Sequence, residues 1–270
     1  MTGAWGVRLG AWGKNLALAL VMTSGVLVFA QAPSPKPQVS SGFVEIPGGP
    51  FTIGTSRTAD PSAFENESPA TTVDVATFFI AEREVTVAEF RMFAEAGQWR
   101  VDPRALAGPP EHPVAYVSWP DAVAYCRWLD SKLRNTLPQG WHVTLPTEAQ
   151  WEKAARGTDA RRFPWGSEPR RDRANFAASG TVPAGSIACA ECAFGLRDMA
   201  GNVWEWTRSP NQPYPYDEAD DRRGLEADAL WIMRGGGFAD APQLIRTTTR
   251  GAAEPGARRP FIGFRVAISQ

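Results

Sequence analysis

Three helix starts, all upstream of Gly157, and a second half broken every few residues by turns set the terms on which this chain can fold. In Thr86-Val-Ala-Glu89 the Thr hydroxyl can cap a backbone N–H while Glu89 reaches back, and Val87, Phe90 and Phe93 line one face before Gly97 stops the run. Ser118-Trp-Pro-Asp121 starts a second helix, along which Ala122, Cys126, Leu129 and Leu133 recur at helical spacing. Thr147-Glu-Ala-Gln150 starts a third, with Trp151, Ala154 and Ala155 inward and Gly157 as its stop. Beyond it only short strand-like pieces remain, such as Trp204-Glu-Trp206, Trp231 to Arg234 and Phe264 to Ala267. Upstream, Phe43 to Ile46 and Phe51 to Gly54 alternate around Pro47-Gly48-Gly49, which predicts a hairpin, and Val73 to Ile80 predicts another strand. The expected class is α+β, irregular and loop-rich, with few short helices and short antiparallel strands. Eleven Trp, 25 Gly and 23 Pro agree, because such a fold stiffens its core with large aromatics rather than long regular elements.

Residues 1–32 read as an export signal: Arg8 and Lys14 precede an uncharged apolar run from Leu16 to Ala30, and Ala30-Gln31-Ala32 is a small-residue cleavage site. The run is shorter than the ~20 apolar residues a membrane span needs. A Pro/Ser-rich linker, 33–42, then leads into one domain, 43–270, expected in the periplasm or outside the cell. Loss of the signal removes two basic groups and no acid, leaving a mildly acidic chain with no basic tract for nucleic acid and no later membrane span. Three cysteines remain in a compartment that favours disulfides. Cys189-Ala-Glu-Cys192 is spaced for a structural disulfide, while a redox motif would need a strand-to-helix context that Ala193-Phe194-Gly195 does not offer. Cys126 reads as a small buried hydrophobe.

Six stretches, in order along nearly the whole mature chain, carry a family likeness. They are Ile46-Pro-Gly-Gly-Pro-Phe-Thr-Ile-Gly54, Glu84-Val-Thr86, His112-Pro-Val-Ala-Tyr-Val-Ser-Trp119 and Leu145-Pro-Thr-Glu-Ala-Gln-Trp-Glu152, then Gly195-Leu-Arg-Asp-Met-Ala-Gly-Asn-Val-Trp-Glu-Trp206, and Arg234-Gly-Gly-Gly-Phe238 with Gly263-Phe-Arg265. Together they resemble the formylglycine-generating (sulfatase-modifying factor) family, whose fold is related to C-type lectins. In that family two cysteines near the C-terminus bind the copper that activates oxygen and oxidises a substrate cysteine. The matching segment here is Arg246-Thr247-Thr248-Thr249-Arg250, so Thr247 stands at one cysteine position and Pro242 at the other. Copper(I) takes soft thiolate ligands, and neither a hydroxyl nor a proline ring replaces one, so copper is not expected. Arg246 and Arg250 either tie loops to carboxylates such as Asp240 or Glu254, or line a ligand cleft.

The resemblance places a calcium site at Asp198, Gly201, Val203 and Glu205, the Gly and Val through their carbonyls, a hard oxygen set of the kind calcium takes. A turn held by side-chain hydrogen bonds is the plainer reading of the same residues. A second family site would begin at Asn175-Phe176, but its acidic loop is shortened between Gly180 and Ile187. His112 and His142 lie beside apolar residues and read as structural. The implied function is a calcium-braced scaffold in the cell envelope that binds a protein, peptide or small molecule. The alternative is a periplasmic oxidoreductase of different mechanism, as in a branch of the family implicated in maturing the pyoverdine siderophore, with Glu254 as the carboxylate to offer as base. Ergothioneine-type sulfoxide synthases use a related domain beside a histidine-rich helical one, which this sequence does not show.

Overall fold

A computed structural model describes residues 42–97, 99–222 and 229–270, together with Pro37. Residues 1–32, read from the sequence as an export signal, and nearly all of the expected linker lie outside the described residues. The three helices form where their caps require: α1 (Val87–Glu95), α2 (Trp119–Leu133) and α3 (Glu148–Arg156). Each opens on a complete capping box, Thr86 with Glu89, Ser118 with Asp121 and Thr147 with Gln150, which satisfies N–H groups that a helix start leaves without partners. Gly157, at φ 66°, stops α3 in a conformation a side chain would resist.

The first four strands, β1 (Phe43–Ile46), β2 (Gly49–Ile53), β3 (Thr71–Val75) and β4 (Phe78–Ala81), correct the expected hairpin. β1 does not pair with β2. It pairs with β4, and β2 pairs with β3, in the same register from Phe43↔Ala81 to Ile53↔Thr71, interrupted only between Ile46↔Phe78 and Gly49↔Val75. Pro47-Gly48 therefore bends a long two-stranded ribbon instead of reversing the chain. The bend requires close approach: the Gly48 N–H donates to Thr77 Oγ1 at 3.0 Å, and a Cβ on Gly48 would lie 2.8 Å from the Thr77 nitrogen. The reversal comes later, through residues 54–70.

The remaining strands are β5 (His142–Thr144), β6 (Trp204–Pro210), β7 (Trp231–Arg234), β8 (Gly251–Ala253), β9 (Ile262–Gly263) and β10 (Ala267–Ser269). They build one sheet in the order β1-β4-β10-β5 and another in the order β8-β7-β6-β9. All pairings are antiparallel except that between β6 and β9. One apolar core lies under α1 and α2 and includes Phe90, Tyr125, Trp206 and Phe264, with Trp119 stacked on Trp231 at 3.8 Å between ring centres. A second, around α3 and the ribbon, holds Trp151 with Ile46, Phe78 and Leu196. Burying such aromatics contributes more per residue than any other side chains here, which is how short elements hold together. No helix among the described residues is long and apolar enough to cross a membrane.

α3 departs from the amphipathic pattern, because its charged residues are buried as well as its apolar ones. Glu148 receives Arg234 and Arg250, and Glu152 receives Arg234, Arg156 and the Gly54 N–H. The helix serves as a central strut, tied to β7 by hydrogen-bonded ion pairs through Arg234 and to the ribbon by charged side chains bonded to its backbone, Glu152 to the Gly54 N–H and Arg156 to the Thr52 and Gly54 carbonyls.

Candidate functional site

Pro242 begins a 3-10 turn, Pro242–Leu244, a position where a missing N–H is tolerated. The chain then enters the core from Ile245 to Arg250. Thr247 is fully buried; its hydroxyl donates to the Arg161 carbonyl at 2.6 Å and its N–H to the Arg162 carbonyl at 2.9 Å. The side chain thus fastens this loop to segment 161–162. Cys189 and Cys192 are bonded to each other, and the loop they close meets the same segment further on, through the Ala193 N–H and the Pro164 carbonyl. Cys126 is buried on α2, and burial pushes its thiol far above the ordinary range, away from thiolate.

Arg246 and Arg250 both point inward. Arg246 is fully buried and grips Glu67 through two nitrogens, at 2.7 and 2.5 Å, and Asp60 at 3.0 Å. Burial alone would raise the Asp60 carboxyl, yet the Ser62 hydrogen bonds and the charges of Arg246 and Arg162 hold it below its usual value. Arg250 reaches Glu148 at 2.6 Å and lies 4.1 Å from the centre of the Tyr214 ring. Asp240, one of the carboxylates first considered for these arginines, instead accepts from the Trp204 indole at 2.7 Å and the Gly237 N–H at 2.8 Å. Glu254 is exposed on the loop after β8.

The loop preceding β6 curls through left-handed conformations at Asp198 (φ 55°), Gly201 (φ 76°) and Asn202 (φ 62°). Gly201 has no room for a side chain, since a Cβ would sit 2.2 Å from the Asn175 carbonyl oxygen. Both Glu205 oxygens are engaged: Arg265 donates to each at 2.6 Å, and the Trp151 indole adds a bond of 2.7 Å. Asp198 is different. Its Oδ2 accepts from the Gly185 N–H, but Oδ1 is buried without a partner. Glu84, which the sequence reading did not single out as a site residue, takes one bond from Asn202 at 3.1 Å and leaves Oε2 buried without a partner. Burial, then the nearby Asp198 and Glu205 carboxylates, push the Glu84 carboxyl well up. Two bare buried carboxylate oxygens are a hard donor set suited to a divalent cation. Among the described residues no three His, Cys, Asp or Glu side chains converge as a metal cluster, so an ion here needs backbone carbonyls as well. The Asn175 amide donates to the Gly180 carbonyl and to Asn202, tying its loop to this one.

Two open cavities complete the picture. One, of about 400 Å³, lies beside the 3-10 turn Pro103–Leu106 and is lined by Arg104, His112, Tyr116, Thr181 and apolar walls. Another, of about 290 Å³, has Gln150, Arg208, Tyr216 and Asp221 in its wall. Burial raises the Asp221 carboxyl to about 6 against the hydrogen bonds of Ser209 and Tyr216. Neither cavity was visible in sequence, because each is assembled from segments far apart in the chain.

An irregular α+β scaffold with a capped helix trio and a bent ribbon defines the class. The chain belongs to the family described as sulfatase-modifying factor enzyme 1-like domain, which matches residues 29–270. It is 31% identical over 281 residues to hercynine oxygenase of Mycolicibacterium smegmatis, covering 87% of this chain and 63% of that relative. The chain thus spans less than two thirds of that protein. It is 30% identical to the formylglycine-generating enzyme of Thermomonospora curvata, covering 87% of this chain and 96% of the relative. It is 32% identical over 286 residues to inactive C-alpha-formylglycine-generating enzyme 2 of Mus musculus, covering 84% and 85% of the two. Among solved structures, PvdO from Pseudomonas aeruginosa superposes with a TM-score of 0.69 at 26% identity, over 88% of this chain and 100% of that one. Treponema denticola variable protein 1 shares the fold, with a TM-score of 0.67 at 22% identity over 83% and 94% of the chains.

Proposed function

We propose that this protein is an exported, calcium-braced member of the family that binds a protein, peptide or small ligand in the cell envelope and does not run thiol-copper oxidation. The observation that carries the reading is Thr247, whose buried hydroxyl is committed to backbone carbonyls where a copper-binding thiolate would have to stand. A relative named as inactive is consistent with loss of the reaction on a retained scaffold. Calcium, when bound, neutralises buried carboxylates and braces the loop before β6. Asp198 is its anchor, Glu84 the second carboxylate, and Gly201 and Val203 the carbonyl donors, while Glu205 is already balanced by Arg265. The test is to incubate the purified mature chain with a sulfatase-type cysteine peptide, copper and oxygen, and to look for the aldehyde by mass spectrometry. No aldehyde is expected, and clear turnover overturns the reading.

A second reading, a periplasmic oxidoreductase of different mechanism such as one in siderophore maturation of the pyoverdine type, is favoured by two likenesses. These are the match to all of PvdO and the match to proteins named as oxygenases. A siderophore gene cluster around the coding gene supports this reading, and a sulfatase or secretion cluster counts against it.

A further inference from the structure

The cavity of about 400 Å³ beside the 3-10 turn Pro103–Leu106 is within the usual size range of a small-ligand site. Five separate parts of the chain build it, the first being the start of α1 with Val87. The turn brings Arg104, the segment after it brings His112 and Tyr116, the loop stitched to Asn202 and Glu111 brings Thr181, and the loop before β9 brings Pro260. Its walls are largely apolar, and its polar tips are one guanidinium, one imidazole, one phenol and one hydroxyl. No carboxylate lines it.

The cation is held in place before any ligand arrives. Asp102 accepts from Arg104 Nε at 3.1 Å and from Nη2 at 2.7 Å, a two-pronged grip that leaves Nη1 free of Asp102. The same guanidinium lies 4.8 Å from the centre of the Tyr116 ring, which fixes its plane. Tyr116 itself adopts φ 59°, a left-handed conformation that a bulky residue takes at a cost, and its N–H is tied to the Arg259 carbonyl. On the other side His112 Nδ1 and Thr181 Oγ1 share a hydrogen bond of 2.8 Å, which orients the ring and leaves Nε2 for a ligand. Asp102 occupies Nε and Nη2, so the donor left for an anion is Nη1, beside the Tyr116 and Thr181 hydroxyls and apolar walls that suit a ligand bringing apolar surface with it. One free guanidinium nitrogen with hydroxyl neighbours suits a carboxylate better than a phosphate, which calls for more donors.

We infer that this cavity is a binding site for a carboxylate carried on an apolar or aromatic body, supplied either by a free organic acid or by the C-terminus of a peptide. The inference rests on the binding-scaffold reading, and the two fail separately, because aldehyde formation tests that reading and ligand titration tests this one.

The experiment is calorimetric titration of the mature chain with phenylacetate, with N-acetyl-Ala-Phe bearing a free carboxylate, and with the same dipeptide as its C-terminal amide. At least one of the two acids is expected to bind, and the amide at least about tenfold more weakly than its acid. Binding of phenylacetate alone assigns the source to a free acid, and binding of the dipeptide acid alone assigns it to a peptide terminus. Arg104→Gln, a change at a solvent-exposed side chain, should lower acid affinity at least about tenfold. Arg100→Gln, an exposed residue that does not line the cavity, should leave it unchanged. Equal binding of acid and amide, undiminished binding by Arg104→Gln, or no heat from either acid overturns the inference.

Discussion

Arg246 has no solvent contact, and its guanidinium is matched by Glu67, also fully buried, and by Asp60 and the Thr248 hydroxyl. Replacing it with Met leaves the Glu67 charge buried without a counter-ion. Removal of one partner from a buried pair costs about 3–5 kcal/mol, so Arg246→Met should lower the free energy of unfolding by that amount in guanidinium denaturation. A change within about 1 kcal/mol would show that Glu67 finds another partner or a proton. The sequence identified the residue and the kind of tie, an arginine to a carboxylate. It missed the partner, because Glu67 lies 179 positions away and nothing local marks it. Glu84 was missed for the same reason, although its place two residues before the Thr86 cap was a signal that the backbone there is tightly held.

The elements divide into those with local causes and those without. Helix starts depend on a side chain three residues from its target, so Thr86, Ser118 and Thr147 were legible at once. Strand pairing has no such short-range rule. The Pro-Gly-Gly stretch looked like a reversal and proved to be a bend, because the partner that decides, Phe78 to Ala81, comes some thirty residues later. The loop before β6 is the element most exposed to a single change. Gly201→Ala would force a side chain into a left-handed conformation and onto the Asn175 carbonyl, so it should destabilise by more than about 1 kcal/mol and broaden the melting transition. A melt indistinguishable from the parent chain would mean that the loop relaxes without loss and is no rigid ion cradle.

For the molecule as a whole, two conditions should move stability in opposite senses. Asp221 has a folded-state pKa raised to about 6 from 3.8, so the folded protein holds a proton that the unfolded chain releases. The stability it contributes is fully present below about pH 4 and is lost as pH rises to about 6. Asp221→Asn should therefore flatten the fall of unfolding free energy across that window, and an unchanged slope would assign it to other groups. Calcium, if it binds the folded state alone, should raise the melting temperature, by about 2.7 kcal/mol of stability at a hundredfold excess over Kd. Melting that is identical with and without chelator removes the proposed ion.

Taken alone, the sequence determined what is written in neighbouring residues: three capped helices, the loop-rich class and the disulfide spacing. Those features depend on atoms a few bonds apart. Only the tertiary structure decided how the ribbon pairs, which carboxylates face the buried arginines, that Glu84 joins Asp198, and that Arg104, Tyr116 and Thr181 enclose a cavity. Each of these is an interaction across a folded distance. Its energy depends on burial and on a partner far along the chain, and neither can be known before the chain has closed.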